Sequence, residues 1–154
     1  MANTYSQIYL QFVFAVQNRT SLISRQHKEE LHKYITGLVT HRKSKMLAVN
    51  CMPDHTHLFV GFKPVTLISD FMKEVKVESN EFINGKKWIR GRFSWQDGYG
   101  VFSYSHSHIG SVIRYIQNQE KHHQKSTFRQ EYLEFLQRFQ IEFKNEYLFD
   151  FLDQ

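Results

Sequence analysis

The chain has 154 residues and a single cysteine, Cys51. One cysteine excludes an intramolecular disulfide and any CxxC metal or redox motif, and it fits a reducing cytoplasm. A small buried hydrophobe is the simplest role for it. No run of about 18 apolar residues is present, so no transmembrane helix is expected, and no membrane is expected among the partners. Met1 to Gln7 lack a basic segment leading into an apolar one, so no signal peptide is expected. Prolines number two and glycines seven. No linker, repeat or low-complexity tract divides the chain, so one domain over residues 1–154 is expected.

Aromatic residues are plentiful: 14 Phe and 8 Tyr argue for a packed core and against disorder. The net charge of +5 is unevenly spread. Residues 1–130 hold 18 Lys/Arg against 9 Asp/Glu, whereas residues 131–154 hold 2 against 6. A basic body attracts phosphate backbones, although a solvated basic surface needs no partner. Residues 125–154 read as an acidic C-terminal extension of the same domain.

Residues 4–16 carry β-branched and aromatic side chains without charge, Pro or Gly, and they predict a central strand. A helix from a Ser24 cap to about Arg42 follows, with Leu31, Tyr34, Ile35, Leu38 and Val39 on one stripe. Met46–Cys51 and His55–Phe62 read as a hairpin around Pro53-Asp54. A second helix spans about Leu67 to Asn84, capped by Thr66 or Ser69, with Leu67, Phe71, Val75 and Phe82 inward. Asn84-Gly85 closes it. Phe93–Trp95 and Tyr99–Tyr104 predict a short hairpin around Asp97-Gly98. A third helix runs from about His108 to His123, capped by Ser105 or Ser107, and residues 127–138 suggest one more. The order predicts an α+β fold: a ferredoxin-like open antiparallel sheet with helices on one face.

The most informative stretch is Met52-Pro53-Asp54-His55-Thr56-His57-Leu58-Phe59-Val60. On a strand, His55 and His57 share a face, about 6.5–7 Å apart at the backbone. Two imidazoles so placed can converge on one cation at about 2 Å. A hydrogen-bonded hairpin end explains the pair equally well. Asp54 either orients a histidine or merely shapes the turn. Tyr115 and Gln119 lie four apart on the third helix and share its face. A tyrosine oxygen can attack a phosphodiester, and a divalent ion can polarise it. Tyr99 and Tyr104 are rival tyrosines on a strand. His106 and His108 sit at a strand-to-helix junction, and His122 and His123 suit a helix C-terminus without any ligand role.

The Met-Pro-Asp-His-Thr-His segment resembles the His-hydrophobic-His motif of HUH nucleases. The helix with Tyr115 and Gln119, about 60 residues later, resembles the nucleophile helix of their smallest members. Those are single-tyrosine transposases of insertion sequences and their repeat-associated relatives. Thr56 departs from the usual bulky apolar residue and faces away from the histidines. The resemblance spans residues 4–124. It implies His55, His57 and Gln119 as ligands of Mg²⁺ or Mn²⁺, and Tyr115 as the nucleophile that forms a 5′-phosphotyrosine on single-stranded DNA. It further implies hairpin-bearing element ends as partners, and a homodimer whose sheets join edge to edge.

Basic residues that can meet DNA are Lys28, Arg42 and Lys43 on and after the first helix, and Lys86, Lys87, Arg90 and Arg92 around Trp88. Aromatics amid basic residues can stack unpaired bases; a core Trp95 and solvated charges are the alternative. A relaxase or replication-initiator-like nickase, a non-catalytic nucleic-acid-binding module and a metal-dependent hydrolase are the competing functions.

Overall fold

The apolar run near the N-terminus forms β1, Tyr9–Ala15, and the sheet is built around it. The structure, a computed structural model, describes residues 4–144. Pairing begins only at Tyr9, so the strand is shorter than residues 4–16. β1 pairs antiparallel with β3, His55–Gly61, on one side and with β4, Gly100–Tyr104, on the other. β2, Lys45–Cys51, pairs with the outer side of β3. The resulting order β2-β3-β1-β4 is ferredoxin-like, as the element order predicts.

Side-chain alternation divides the sheet into two chemically different faces. Leu10, Phe12, Phe14, Leu58 and Val60 pack under α1, Lys28–His41, and α2, Ile68–Lys86. These two helices are the expected layer. The opposite face is also covered. Val13, Ala15 and Phe102 pack under α5, Phe128–Arg138. Ala48 and Phe59 pack under α3, Ile109–Gln117, which leads into the one-turn α4, Gln119–His122.

Several boundaries differ from the expected ones. Ser24 does not cap α1: His27 holds the cap position, with no side-chain bond. Leu67, not Thr66 or Ser69, precedes α2, and it is 67% exposed. α2 runs past Asn84-Gly85 and closes at Lys87, whose φ is 56°. The Asn84 amide is occupied elsewhere. It donates to the Phe93 carbonyl at 2.9 Å and accepts the Phe93 N–H at 2.7 Å, fastening the connector to the helix. Phe93–Trp95 forms no strand beyond one bridge from Trp95 to Val16. The Trp95 indole N–H donates to Ser79 Oγ at 3.0 Å, so this segment packs on α2, while β4 pairs with β1. The expected helix from His108 to His123 breaks at Asn118. Residues 127–138 form α5 behind a Thr127–Gln130 capping box. No helix among the described residues is long and apolar enough to cross a membrane.

Candidate active site

β3 sets the first half of the site. His55 and His57 are buried on the α3–α5 face, while Thr56 and Leu58 point to the other. The His55 ring donates from Nδ1 to Asp54 Oδ1 at 2.7 Å. Asp54 in turn pairs with the buried Arg19 at 2.8 Å. Asn18 and Arg19 both adopt positive φ, 59° and 50°, in the turn that brings this guanidinium inward. Two such residues cost about 1–3 kcal/mol each, and surrounding contacts must hold them there. Asp54 therefore does more than shape the turn. Burial pushes its carboxyl up, but the hydrogen bond and charge of His55, with those of Arg19, outweigh that and hold it at about 2. Burial lowers the His55 pKa, against the hydrogen bond that its ring donates to Asp54.

The His57 ring donates from Nδ1 to Gln11 Oε1 at 2.9 Å. Gln11 lies on β1, two residues across the same face, and its amide N–H donates to Tyr104 at 2.8 Å. Tyr104 thus braces the second histidine, and burial pushes its phenol up to about 12.

α3 and α4 bring the second half. The buried Asn50 amide on β2 donates to the Ile116 carbonyl at 2.8 Å and pins the end of α3 to the sheet. Gln119 Oε1 then lies 3.4 Å from His55 Nε2. The Tyr115 ring stands edge-on to His57, with centroids 6.1 Å apart in the same chain. All four residues singled out by the two motifs, His55, His57, Tyr115 and Gln119, are therefore brought together. The break at Asn118 does not separate Tyr115 from Gln119, because both reach the carboxylate of Glu131.

Glu131, on α5, had no place in the motif-based reading. It is 1% exposed and carries the densest set of polar contacts in the site. Its Oε1 lies 3.1 Å from His57 Nε2, 3.2 Å from His123 Nε2 and 3.6 Å from His55 Nε2. Its Oε2 accepts from Tyr115 O–H and, at 2.8 Å, from the Gln119 amide. Burial raises the Glu131 carboxyl, but the His57 charge, hydrogen bonds from His123 and His57, and the His55 charge hold it well below the usual range. Burial, then the Glu131 charge, pushes the Tyr115 phenol well above its ordinary value. His55, His57, His123 and Glu131 offer four ligand atoms within 4.8 Å of one another. His123 is thus more than a helix-end histidine. A sequence signal for Glu131 did exist: it is a charge on the α5 stripe of Phe128, Tyr132 and Phe135. Gln11 was likewise a polar residue inside an apolar strand.

Tyr115 lines two clefts. One, of about 600 Å³, is bounded by Gln11, Tyr104, His108, Ser111 and Arg138. The other, of about 630 Å³, is bounded by Asn118, Lys121, His122 and Lys125. The basic residues expected to meet DNA divide differently. Lys28 pairs with Glu120 at 3.0 Å, Lys86 with Glu30 at 3.1 Å, and Arg42 with Glu74 and Glu78. Lys43, Lys87, Arg90 and Arg92 are exposed. Trp88 stacks on His27 at 4.4 Å, and Trp95 is core.

The family model described as "Transposase IS200 like" matches residues 4–119. The ISDra2 transposase TnpA of Deinococcus radiodurans is 21% identical over 118 residues, covering 73% of this chain and 84% of its own. A crystal structure of a candidate transposase from the same organism shares the fold at a TM-score of 0.62 and 22% identity, covering 77% of this chain and 95% of the other. The REP-associated tyrosine transposase, solved bound to a REP hairpin, aligns at 0.58 and 16% identity, covering 80% and 73%.

Proposed function

This chain belongs to the IS200-like transposase family, and from that premise we propose that it cleaves and rejoins single-stranded DNA through Tyr115, with a divalent ion bound by His55, His57 and Gln119. The observation that carries this reading is the convergence of a tyrosine hydroxyl, two buried imidazoles and an amide oxygen within one chain. The donors suit a cation, because both histidines have their Nδ1 atoms engaged and turn Nε2 to the same place. When bound there, the ion supplies a Lewis acid for a phosphodiester oxygen.

The chain's own groups account for the rest. The Tyr115 oxygen attacks the phosphorus, and its proton passes to Glu131 Oε2, which already accepts it. The bond from phosphorus to the 3′-oxygen breaks, that oxygen takes up a proton, and a 5′-phosphotyrosine remains. Attack by a 3′-hydroxyl on that ester reverses the exchange and frees Tyr115, so no nucleotide cofactor is consumed. The raised phenol pKa means Tyr115 is a weak nucleophile until positive charge or a base offsets its surroundings. Lys121 and Lys125 on one side of Tyr115, and Arg138 on the other, suit a phosphate backbone crossing it. Lys43, Lys87, Arg90 and Arg92 are proposed as further DNA contacts, while Lys28, Arg42 and Lys86 are engaged by acidic partners. Hairpin-bearing element ends, a homodimer and a cytoplasmic location complete the proposal.

The test is incubation with end-labelled, hairpin-bearing single-stranded DNA and Mn²⁺, followed by a denaturing gel. A covalent protein–DNA band is expected, absent in Tyr115→Phe. Cleavage of equal rate in that variant rules out Tyr115, and binding without cleavage under any metal rules out the enzyme.

A further inference from the structure

The two oxygens of the Glu131 carboxylate have different surroundings. Oε2 accepts from Tyr115 O–H and the Gln119 amide, with His122 Nε2 farther off at 3.4 Å. Oε1 faces three imidazole Nε2 atoms at 3.1, 3.2 and 3.6 Å. The far side of each ring has its own partner. His55 Nδ1 meets the Asp54 carboxylate at 2.7 Å, His57 Nδ1 meets Gln11 Oε1 at 2.9 Å, and His123 Nδ1 meets the Ser126 carbonyl at 2.9 Å. Each of these partners only accepts. Each ring is therefore anchored through Nδ1 on its far side and turns Nε2 toward Oε1.

Three ring nitrogens and one carboxylate oxygen then converge on one point, as the donors around a cation do. Protons satisfy that point poorly. The ring centroids of His55 and His57 lie 5.2 Å apart and those of His55 and His123 4.7 Å apart, and three imidazolium charges so close in a buried site repel strongly. One cation satisfies all four atoms at once, since these donors lie within 4.8 Å of one another. The anchoring of each ligand histidine by an acceptor on its other nitrogen is how metal sites fix ring orientation.

We propose that His123 and Glu131 join His55 and His57 as direct ligands, making a three-imidazole, one-carboxylate centre that prefers a first-row transition ion to Mg²⁺. The proposal rests on the reading that His55 and His57 hold a cation, and it extends the centre to residues beyond the family match at 4–119. Imidazole-rich sets suit the later first-row ions such as Co²⁺, Ni²⁺ or Zn²⁺, whereas Mg²⁺ favours oxygen donors and retained water. Glu131 then joins two tasks, with Oε1 on the ion and Oε2 on the nucleophile's hydroxyl. Gln119, whose Oε1 lies 3.0 Å from His123 Nε2, stands beside the same point.

The metal-free full-length protein is titrated with Co²⁺ and Mg²⁺ by calorimetry, and the Co²⁺ complex is followed by visible absorption and by proton NMR. Co²⁺ is expected to bind at least tenfold more tightly than Mg²⁺. Three exchangeable, strongly shifted imidazole N–H resonances are expected, one for each anchored Nδ1. Glu131→Gln and His123→Ala are each expected to weaken Co²⁺ binding by about 10-fold or more, with circular dichroism of the metal-free variants confirming the fold. Equal affinity for the two ions overturns the proposal. So do two shifted resonances in place of three, a count that needs no variant to fold. Unchanged Co²⁺ affinity in both variants, with His57→Ala still abolishing binding, overturns the enlarged centre alone. Unchanged affinity in His57→Ala overturns the underlying metal reading as well.

Discussion

The two faces of the sheet grow from the same strands yet bury opposite chemistry. On the α1–α2 face, Phe12, Phe14, Leu58, Phe71 and Met72 belong to one cluster of apolar and aromatic side chains and are essentially inaccessible. On the α3–α5 face, one residue along each strand, Gln11, His55 and His57 are just as deeply buried. Apolar burial contributes roughly 1.5–3 kcal/mol per large side chain, whereas each buried polar group costs free energy unless it is paired. One face can therefore stabilise the fold, and the other can hold groups that need partners brought from elsewhere in the chain. A strand buried on both sides allows this separation within a single sheet.

The comparison can be broken most severely at the nucleophile. Tyr115→Phe should lower the rate of covalent adduct formation by about 10³-fold or more, while urea unfolding stays cooperative because the α1–α2 face is untouched. A loss of cooperativity would mean that the polar face carries the fold. The reciprocal change is Phe12→Ala, expected to destabilise by about 3–5 kcal/mol. Per folded molecule, Co²⁺ affinity should remain within twofold, read by calorimetry at low temperature.

A smaller effect tests how α5 docks. A Cβ on Gly100 would lie 2.8 Å from the Tyr132 hydroxyl and 3.0 Å from Phe102 Cε2. Gly100→Val should force α5 off the sheet, at a cost of about 1–3 kcal/mol. Hydrogen exchange should accelerate in 128–138 and leave α1 and α2 protected. Uniform acceleration would show that the two faces are not separable.

The smallest effect is in pH. His32 Nε2 accepts the Cys51 N–H at 2.9 Å, and burial, with the Lys28 charge, lowers its pKa from 6.5 to about 4. A histidine lowered in the folded state contributes stability above 6.5 that is lost as pH falls toward 4. Asp54, held at about 2, contributes fully above its ordinary 3.8 and loses that contribution only as pH falls from 3.8 toward 2, below the His32 window. Urea midpoints should therefore fall between pH 6.5 and 4, and His32→Gln should flatten that part of the curve. An unchanged slope would remove His32 from the account.

The legible part of this protein was local. Alternation in residues 55–60 is a property of the strand itself, so it put both histidines on one face and Thr56 on the other before any partner was known. The strand and helix order likewise pointed to the ferredoxin-like sheet, and the spacing from Tyr115 to Gln119 joined the two across a helix break at Asn118. The hairpin around Asp97-Gly98 was misread because its two arms chose other partners: Trp95 went to Ser79 on α2, and Gly100–Tyr104 went to β1. Nothing local marked His123 and Glu131 as neighbours of His57. Glu131 lies 74 residues from that histidine in the chain and meets it only because α5 docks closely over Gly100. Periodicity decides which face a residue takes. Which distant helix closes over that face is decided by the packing of whole side chains, and here that packing brought in the carboxylate that touches both the histidines and the nucleophile.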